Sequence, residues 1–403
     1  MRALSLGKVE GDAESVTGVE VDSRRLRPGD LFVAVSGGEA YLDEARERGA
    51  AATLVPDGGH AALAALGGAV RARSDARVVA ITGSVGKTST KDILAALLRT
   101  RFRTVAAPDG FNNEIGLPLT LCRIEPETEV VVTEMAMRGP GQIRDLARVA
   151  RPHLGVITSI APVHLEQLGS LENIARAKAE LLEELPAGAV AVLPEDAPEL
   201  ETFVPEDLDV RRFGPPEAEV RDGRTHVRWH GRDVVFGFAA RHQAVNAAAA
   251  LTAAEALGVE PPSKPVEVAF SLWRSQELEL PGGGLLINDA WNANPVAMRA
   301  ALGHLLERAN GRRTVAILGE MAELGPEAAR YHEAIGREAE PVDLVLGVGE
   351  LARHYAPDEW APTAAEAVGV ALGLVRPGDA ILVKGSRSVG LEVVAEALLG
   401  AGA

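Results

Sequence analysis

A single cysteine, Cys122, occurs among the 403 residues, which excludes an intramolecular disulfide and a multi-cysteine metal centre. A reducing, cytoplasmic setting is therefore expected. Lysine is almost as scarce: of 41 basic residues only Lys8, Lys87, Lys91, Lys178, Lys264 and Lys384 are lysine. Arginine carries positive charge elsewhere, so a lysine is the more notable where it occurs, because its amine can become neutral and nucleophilic. No apolar run approaches the ~20 residues of a membrane helix. The first residues, Met1 to Leu6, soon meet Lys8, Glu10 and Asp12, which is unlike a signal peptide. The net charge of −16 disfavours nonspecific binding to nucleic acid, although an anionic small molecule can still find a locally positive site. The expected partners are small molecules, with no nucleic acid, no membrane insertion and a monomeric chain.

With 47% hydrophobic residues, the chain is long for one core and suits two or three domains. The pattern predicts an α/β protein of three domains. Residues 1–75 read as a small mixed α/β domain, with strands at 19–24 and 30–35, a helix at 42–49 and another within 57–74. Residues 76–275 read as a central phosphate-loop domain with a parallel sheet. Its strands fall at 78–82, 130–133, 154–159 and 189–193, with helices at 88–101, 142–150 and 171–185 between them. A β-rich insertion at 225–229 and 233–238 and an alanine-rich helix at 243–258 complete it. Residues 276–403 read as a Rossmann-like domain with strands at 285–288, 314–318, 344–348 and 380–383.

The segment Val78 to Ser89 is strand, tight turn and helix start. Gly83, Ser84, Val85 and Gly86 can close backbone N–H groups on phosphate oxygens, and the helix dipole and Lys87 add positive charge. Thr88 can offer a hydroxyl to Mg²⁺, and Ser89 follows it on the helix. Gly83 and Gly86 enclose two residues instead of the usual four.

Three further residues invite a chemical reading. Glu134 ends an apolar strand, where a carboxylate faces the nucleotide crevice of a parallel sheet; it is either a Mg²⁺ ligand or a solvated strand-end acid. His164 follows the strand at 154–159 and is either a ligand or a hydrogen-bonding loop residue. Lys178 shares a helical stripe with Ile174, Leu181, Leu182 and Leu185, whereas Arg176, Glu180, Glu183 and Glu184 lie elsewhere. An ammonium on an apolar stripe either snorkels to water or has a special role.

The short loop Thr82-Gly-Ser-Val-Gly-Lys-Thr resembles that of the Mur ligase family, whose members make amide bonds from ATP. The rest of the chain carries the same resemblance. Glu134-Met135 looks like the family's metal-binding Glu-Met. The segment Thr158 to Gly169 resembles the one whose histidine, here His164, binds a second Mg²⁺. Ile174 to Glu180 is similar to the stretch whose lysine, here Lys178, reacts with CO₂ to give a carbamate. Asn112 to Pro118 matches a segment in which Asn113 would approach the γ-phosphate. Arg241 to Asn246 resembles His-Asn-x-x-Asn, with Asn246 reaching the adenine and Gln243 replacing the first asparagine. Arg274 resembles a hinge arginine aimed at the γ-phosphate.

In the third domain, Asn288-Asp289-Ala290-Trp291-Asn292-Ala293-Asn294-Pro295 resembles Asp-Asp-Ser-Tyr-Asn-Ala-Asn-Pro. Asn288 and Trp291 depart from it. The resemblance implies that Asp289 and Asn292 contact ATP and Asn294 the substrate. Lys384-Gly385-Ser386-Arg387 and Leu318 to Gly325 point in the same way to the members that accept D-alanyl-D-alanine, with Lys384, Ser386 and Arg387 binding substrate. Val21-Asp22-Ser23-Arg24 resembles a UDP-binding segment, so Ser23 and Arg24 would contact UDP-N-acetylmuramoyl-tripeptide. The Asp-Gly-His stretch expected after it is replaced by Gly37 to Leu42. The alternatives are a sibling ligase adding a diamino acid or glutamate, or a phosphate-loop phosphotransferase without ligase chemistry.

Overall fold

The computed structural model describes residues 5–163 and 165–400. Four sheets form, three of them each at the centre of a domain, and the expected three-domain α/β architecture is borne out. The first sheet has the order Gly7–Glu10, Ala52–Pro56, Leu31–Val33, Val19–Glu20; its first pair is antiparallel and the rest parallel. The reading of 19–24 as one strand is corrected. The strand stops at Glu20 because Asp22 accepts a hydrogen bond from the Arg24 amide and caps the 3₁₀ turn Ser23–Arg25. Helix His60–Ala72 follows, and Gly67 lies so close to Pro118 that a Cβ would meet its Cα at 2.8 Å. The first domain is thus seated directly on the central one.

The central sheet is wholly parallel, in the order Asp209–Phe213, Val190–Pro194, Leu154–Ile157, Arg77–Thr82, Val130–Glu134, Thr104–Ala106. Buried on both faces, its inner strands are continuous apolar runs. Chain order reverses around Arg77–Thr82, which sits between the strand ending at Glu134 and the strand ending at Ile157. A ligand crevice forms at the carboxyl ends of strands at such a point. Helix Ala244–Ala256 packs against helix Lys87–Arg99. Its alanines at 247–250 are fully enclosed, and their short side chains let the two helices and the sheet approach closely. A separate antiparallel sheet of Ala218–Arg221, Arg224–Trp229 and Arg232–Phe236 covers this helix.

The third sheet runs Gln276–Leu280, Gly284–Asp289, Ala380–Lys384, Thr314–Gly319, Leu344–Val348, Glu359–Ala361. Only its first pair is antiparallel. Apolar clusters fill both of its faces. Among the described residues no helix is long and apolar enough to cross a membrane.

Candidate active site

A cavity of about 1070 Å³ opens between the central and C-terminal sheets. The phosphate loop forms one wall. Gly86 has φ 85°, and a Cβ there would strike Asn246 Oδ1. Gly83, at φ 147°, would likewise collide with Thr158 Oγ1. Glycine is required at both points by conformation and by space. The loop is strapped to the strand end beside it. Ser84 N–H donates to the Ser159 carbonyl at 2.9 Å, Val85 N–H to Ser159 Oγ at 2.9 Å, and Thr158 Oγ1 to the Val85 carbonyl at 2.6 Å.

Helix Lys87–Arg99 begins right after the loop, and no side chain caps it. Its first amides have no partner within the helix and face the cavity, which suits an anion. Lys87 curls over the loop and donates to the Gly83 carbonyl at 2.8 Å and the Ser84 carbonyl at 3.3 Å. Burial pushes its pKa below the usual lysine range; Glu134 opposes that shift and Arg274 adds to it.

Glu134 is buried, and its Oε1 accepts a hydrogen bond from Asn112 Nδ2 at 2.9 Å. Thr88 is also buried, and both line the cavity. Hard divalent cations take oxygen ligands, so this carboxylate and hydroxyl fit Mg²⁺. Lys178 is 2% exposed on helix Leu171–Glu183. Burial first, and then the nearby Lys87 charge, hold its pKa well below the usual value. It makes no hydrogen bond or ion pair with a described residue. Glu180, expected off the apolar stripe, is buried too, because it accepts from the Gly141 and Arg144 amides at the start of helix Gln142–Ala150. His164 lies outside the described residues.

The opposite wall comes from the C-terminal sheet. Strands Gly284–Asp289 and Ala380–Lys384 are neighbours, and their register sets Asp289 beside Lys384. Lys384 Nζ donates to Asp289 Oδ2 at 2.5 Å and to the Asn292 carbonyl at 2.9 Å. The other Asp289 oxygen accepts from Ser275 N–H at 3.1 Å, which ties the domain to the linking segment. Asn294 caps helix Pro295–Ala309 by accepting from Ala297 N–H at 2.9 Å. Ser386 Oγ accepts from Ala322 N–H at 2.8 Å, and Arg387 pairs with Glu392. Trp273 and Ser275 flank Arg274 with φ of 57° and 49°. A left-handed conformation costs a non-glycine residue roughly 1–2 kcal/mol, so the link is locally strained.

The cavity therefore gathers Ser84 to Ser89, Asn113, Glu134, Asn246, Arg274, Asp289, Asn292, Asn294, Lys384, Ser386 and Arg387. Gly83 and Lys178 are not among the residues that line it. Ser23 and Arg24 do not line it: Ser23 Oγ donates to Glu44 at 3.0 Å, and Arg24 forms a bidentate pair with Asp22. That pairing lowers the Asp22 pKa to about 2. Asn113 Oδ1 accepts from the Ile115 and Gly116 amides, so the side chain that orients Glu134 is its neighbour Asn112. Gln243, the departure from the expected asparagine, accepts from Asn246 Nδ2 at 2.6 Å and so orients it. Sequence reasoning also passed over Asp109, whose Oδ1 is buried without a hydrogen-bond partner among the described residues. Its burial raises its pKa, against Arg274 and Lys91. No motif marked it.

The Mur ligase middle domain profile matches residues 81–254, and the Mur ligase glutamate ligase domain profile matches residues 273–387. The chain belongs to the Mur ligase family. It is 35% identical to the UDP-N-acetylmuramoyl-tripeptide--D-alanyl-D-alanine ligase of Mycobacterium leprae, over 99% of this chain and 96% of that one. The ligase of the same name from Escherichia coli is 32% identical, over 97% and 96%. Among solved structures, MurF from Acinetobacter baumannii superposes with a TM-score of 0.84 at 26% identity, covering 98% of this chain and 96% of that one. MurF ligase from Thermotoga maritima, solved in complex with ADP, gives 0.82 at 27% identity over 95% and 97%. The phosphate loop and the C-terminal strand ends of this chain face one cavity.

Proposed function

We propose that this chain is an ATP-dependent, ADP-forming ligase that joins D-alanyl-D-alanine to UDP-N-acetylmuramoyl-tripeptide in cell-wall precursor synthesis. One observation carries the reading. The phosphate loop of the central domain and the Asn-Ala-Asn-Pro and Lys-Gly-Ser-Arg segments of the C-terminal domain line a single cavity. Relatives matched over their full length bear the name of this activity. In this proposal residues 1–75 hold the UDP end of the donor through Ser23 and Arg24. Residues 76–275 hold ATP, and residues 276–403 bring the acceptor. The use of ATP and a UDP-linked donor suits the cytoplasm.

The chemistry follows from charge. A carboxylate does not condense with an amine at neutral pH. Transfer of the γ-phosphoryl group breaks the β–γ P–O bond, releases ADP and leaves the donor as an acyl phosphate. The amine of D-alanyl-D-alanine attacks the acyl carbon, phosphate departs and one proton is released. The uncapped amides of helix Lys87–Arg99 and the Lys87 ammonium receive the phosphates. Glu134 and Thr88 would hold Mg²⁺, which supplies charge that offsets the repulsion between carboxylate and triphosphate. Asn246 would meet the adenine, and Asp289 and Asn292 the ribose side of the nucleotide. Arg274 would meet the γ-phosphate. Asn294, Lys384, Ser386 and Arg387 would face the substrates.

Lys178 is proposed to carry a carbamate, formed when its neutral amine adds to CO₂ and loses a proton. The proximity to Lys87 that disfavours an ammonium there favours an anion. That anion, with His164, would serve a second Mg²⁺.

The test is product mass. With ATP, Mg²⁺ and UDP-N-acetylmuramoyl-tripeptide, D-alanyl-D-alanine is expected to give the pentapeptide. A free diamino acid with the UDP-dipeptide is expected to give nothing. The reverse result would make the chain a sibling ligase.

A further inference from the structure

Two of the four tryptophans meet at the seam between the central and C-terminal domains. Trp273 lies in the linking segment and Trp291 in the turn after strand Gly284–Asp289; their ring centroids are 5.9 Å apart. Guanidinium groups alternate with the rings. Arg274 lies 5.4 Å from the Trp291 centroid, and Arg387 lies 5.6 Å from Trp291 and 4.8 Å from Trp273. The far edge of Trp291 reaches the central domain. A Cβ placed on Gly110 would touch its Cη2 and Cζ2 at 3.7 Å. Gly110 belongs to the loop that carries Asn112, the residue that holds Glu134. Gly110, Arg274, Trp291 and Arg387 all line the cavity.

The two arginines are committed differently. Arg387 spends a donor on Glu392. Among the described residues Arg274 donates to none, and its buried Nε has no partner. A ring face restrains a guanidinium without using its N–H donors, because those donors lie in the guanidinium plane. A carboxylate partner would restrain it as well, but would consume them. Stacked on Trp291, Arg274 keeps its donors for an incoming phosphate or carboxylate oxygen. The negative ring faces also offset the repulsion between two cations held in one cleft.

We infer that Trp291 is a positioning residue of the ligase: its indole aims Arg274 at the transferred phosphoryl group and seats the C-terminal domain against the Gly110 loop. The site described above left Trp291 only as a departure from a tyrosine-bearing motif. The inference rests on the ligase reading for the reaction served, but the stack itself can be tested without that reaction.

The full chain is compared with Trp291→Leu and Trp291→Phe, with Trp291→Met as the non-aromatic variant should leucine not fold. Ligation kinetics and tryptophan emission on addition of ADP with Mg²⁺ are read for each. The non-aromatic variants are expected to lower kcat roughly 10-fold, the scale of two partly exposed cation–ring contacts, with the KM for ATP within about twofold. Phenylalanine keeps a ring face and is expected to restore most of the loss. Added nucleotide is expected to change the tryptophan emission of the wild type, and that change should persist in Trp291→Phe and vanish in the non-aromatic variants. Undiminished kcat without a ring, or equal damage from phenylalanine and leucine at unchanged thermal stability, overturns the inference. If the wild-type chain does not ligate D-alanyl-D-alanine yet shows the ring-dependent emission change, the stack stands and the acceptor reading falls.

Discussion

Lys87, part-buried on the cavity wall, and Lys178, buried, have opposite tasks. Lys87 must stay cationic beside developing phosphate charge. Lys87→Ala is expected to cut product formation by more than about 100-fold while leaving the fold intact, which steady-state kinetics and circular dichroism of the purified variant would check. Lys178 must be neutral to react with CO₂. Lys178→Arg keeps a cation that cannot be carbamylated, so it is expected to be inactive, and short carboxylic acids should partly rescue Lys178→Ala. An active Lys178→Arg enzyme would refute the carbamate. The same residue makes a stability prediction. Its folded pKa lies well below 10.5, so between the two values the unfolded chain binds the extra proton and stability rises with pH. The slope is at most about 1.4 kcal/mol per pH unit. In CO₂-free buffer Lys178→Met should therefore be more stable than wild type at pH ~7, with the advantage shrinking as pH approaches the ordinary lysine value. Urea midpoints at two pH values decide it; a constant difference would count against a neutral Lys178. The apolar stripe that exposed Lys178 was legible in sequence. The burial of Glu180 was not, because it depends on amides of a helix 36 to 39 residues away.

At the scale of elements, the phosphate loop shows how far local pattern reaches. Strand, double-glycine turn and helix could be read from residues 78–89 alone. The straps from Thr158 and Ser159, and the approach of Asn246 behind Gly86, join segments far apart in the chain and leave no local mark. Gly86→Ala is expected to displace Asn246, weaken ATP binding and cost roughly 1–2 kcal/mol of stability from the left-handed backbone. Nucleotide titration and thermal melting would measure both, and unchanged ATP affinity would separate Asn246 from the nucleotide. Most unread strands are sheet edges, such as Gln276–Leu280 and Asp209–Phe213. An edge strand is half-solvated, so polar residues interrupt the apolar run that betrays an inner strand. Ala52–Pro56 is the exception; it lies inside the first sheet but is only five residues long.

For the molecule as a whole, the order of three sheets was legible, because strand and helix spacing is periodic. The seam between the second and third was not. There His242 packs edge-on against His304 of the C-terminal domain at 4.8 Å, near Asp289, Lys384 and Glu277. Its Nε2 lies 3.3 Å from Ser275 Oγ, while its Nδ1 is buried without a partner among the described residues. Burial, followed by His304, pushes its pKa down from 6.5 to about 3. Over that window the unfolded chain holds the extra proton, so stability is full above 6.5 and is lost as pH falls toward 3. His242→Gln is expected to flatten this acid sensitivity, by up to about 1.4 kcal/mol per pH unit. Thermal unfolding of both proteins at mildly acidic and neutral pH would test it, and identical acid profiles would show that His242 does not carry the effect.

The placement of the lysines has a practical consequence. Lys91, Lys178 and Lys384 are buried and Lys87 is folded over its loop, which leaves Lys8 and Lys264 as the exposed side-chain amines. Guanidinium groups supply nearly all the remaining surface cations. The two fully accessible lysine side chains are thus at known points, one on the first sheet's edge strand and one beside the antiparallel insertion. Neither lines the cavity, so a tag carried on Lys8 or Lys264 leaves the working face free.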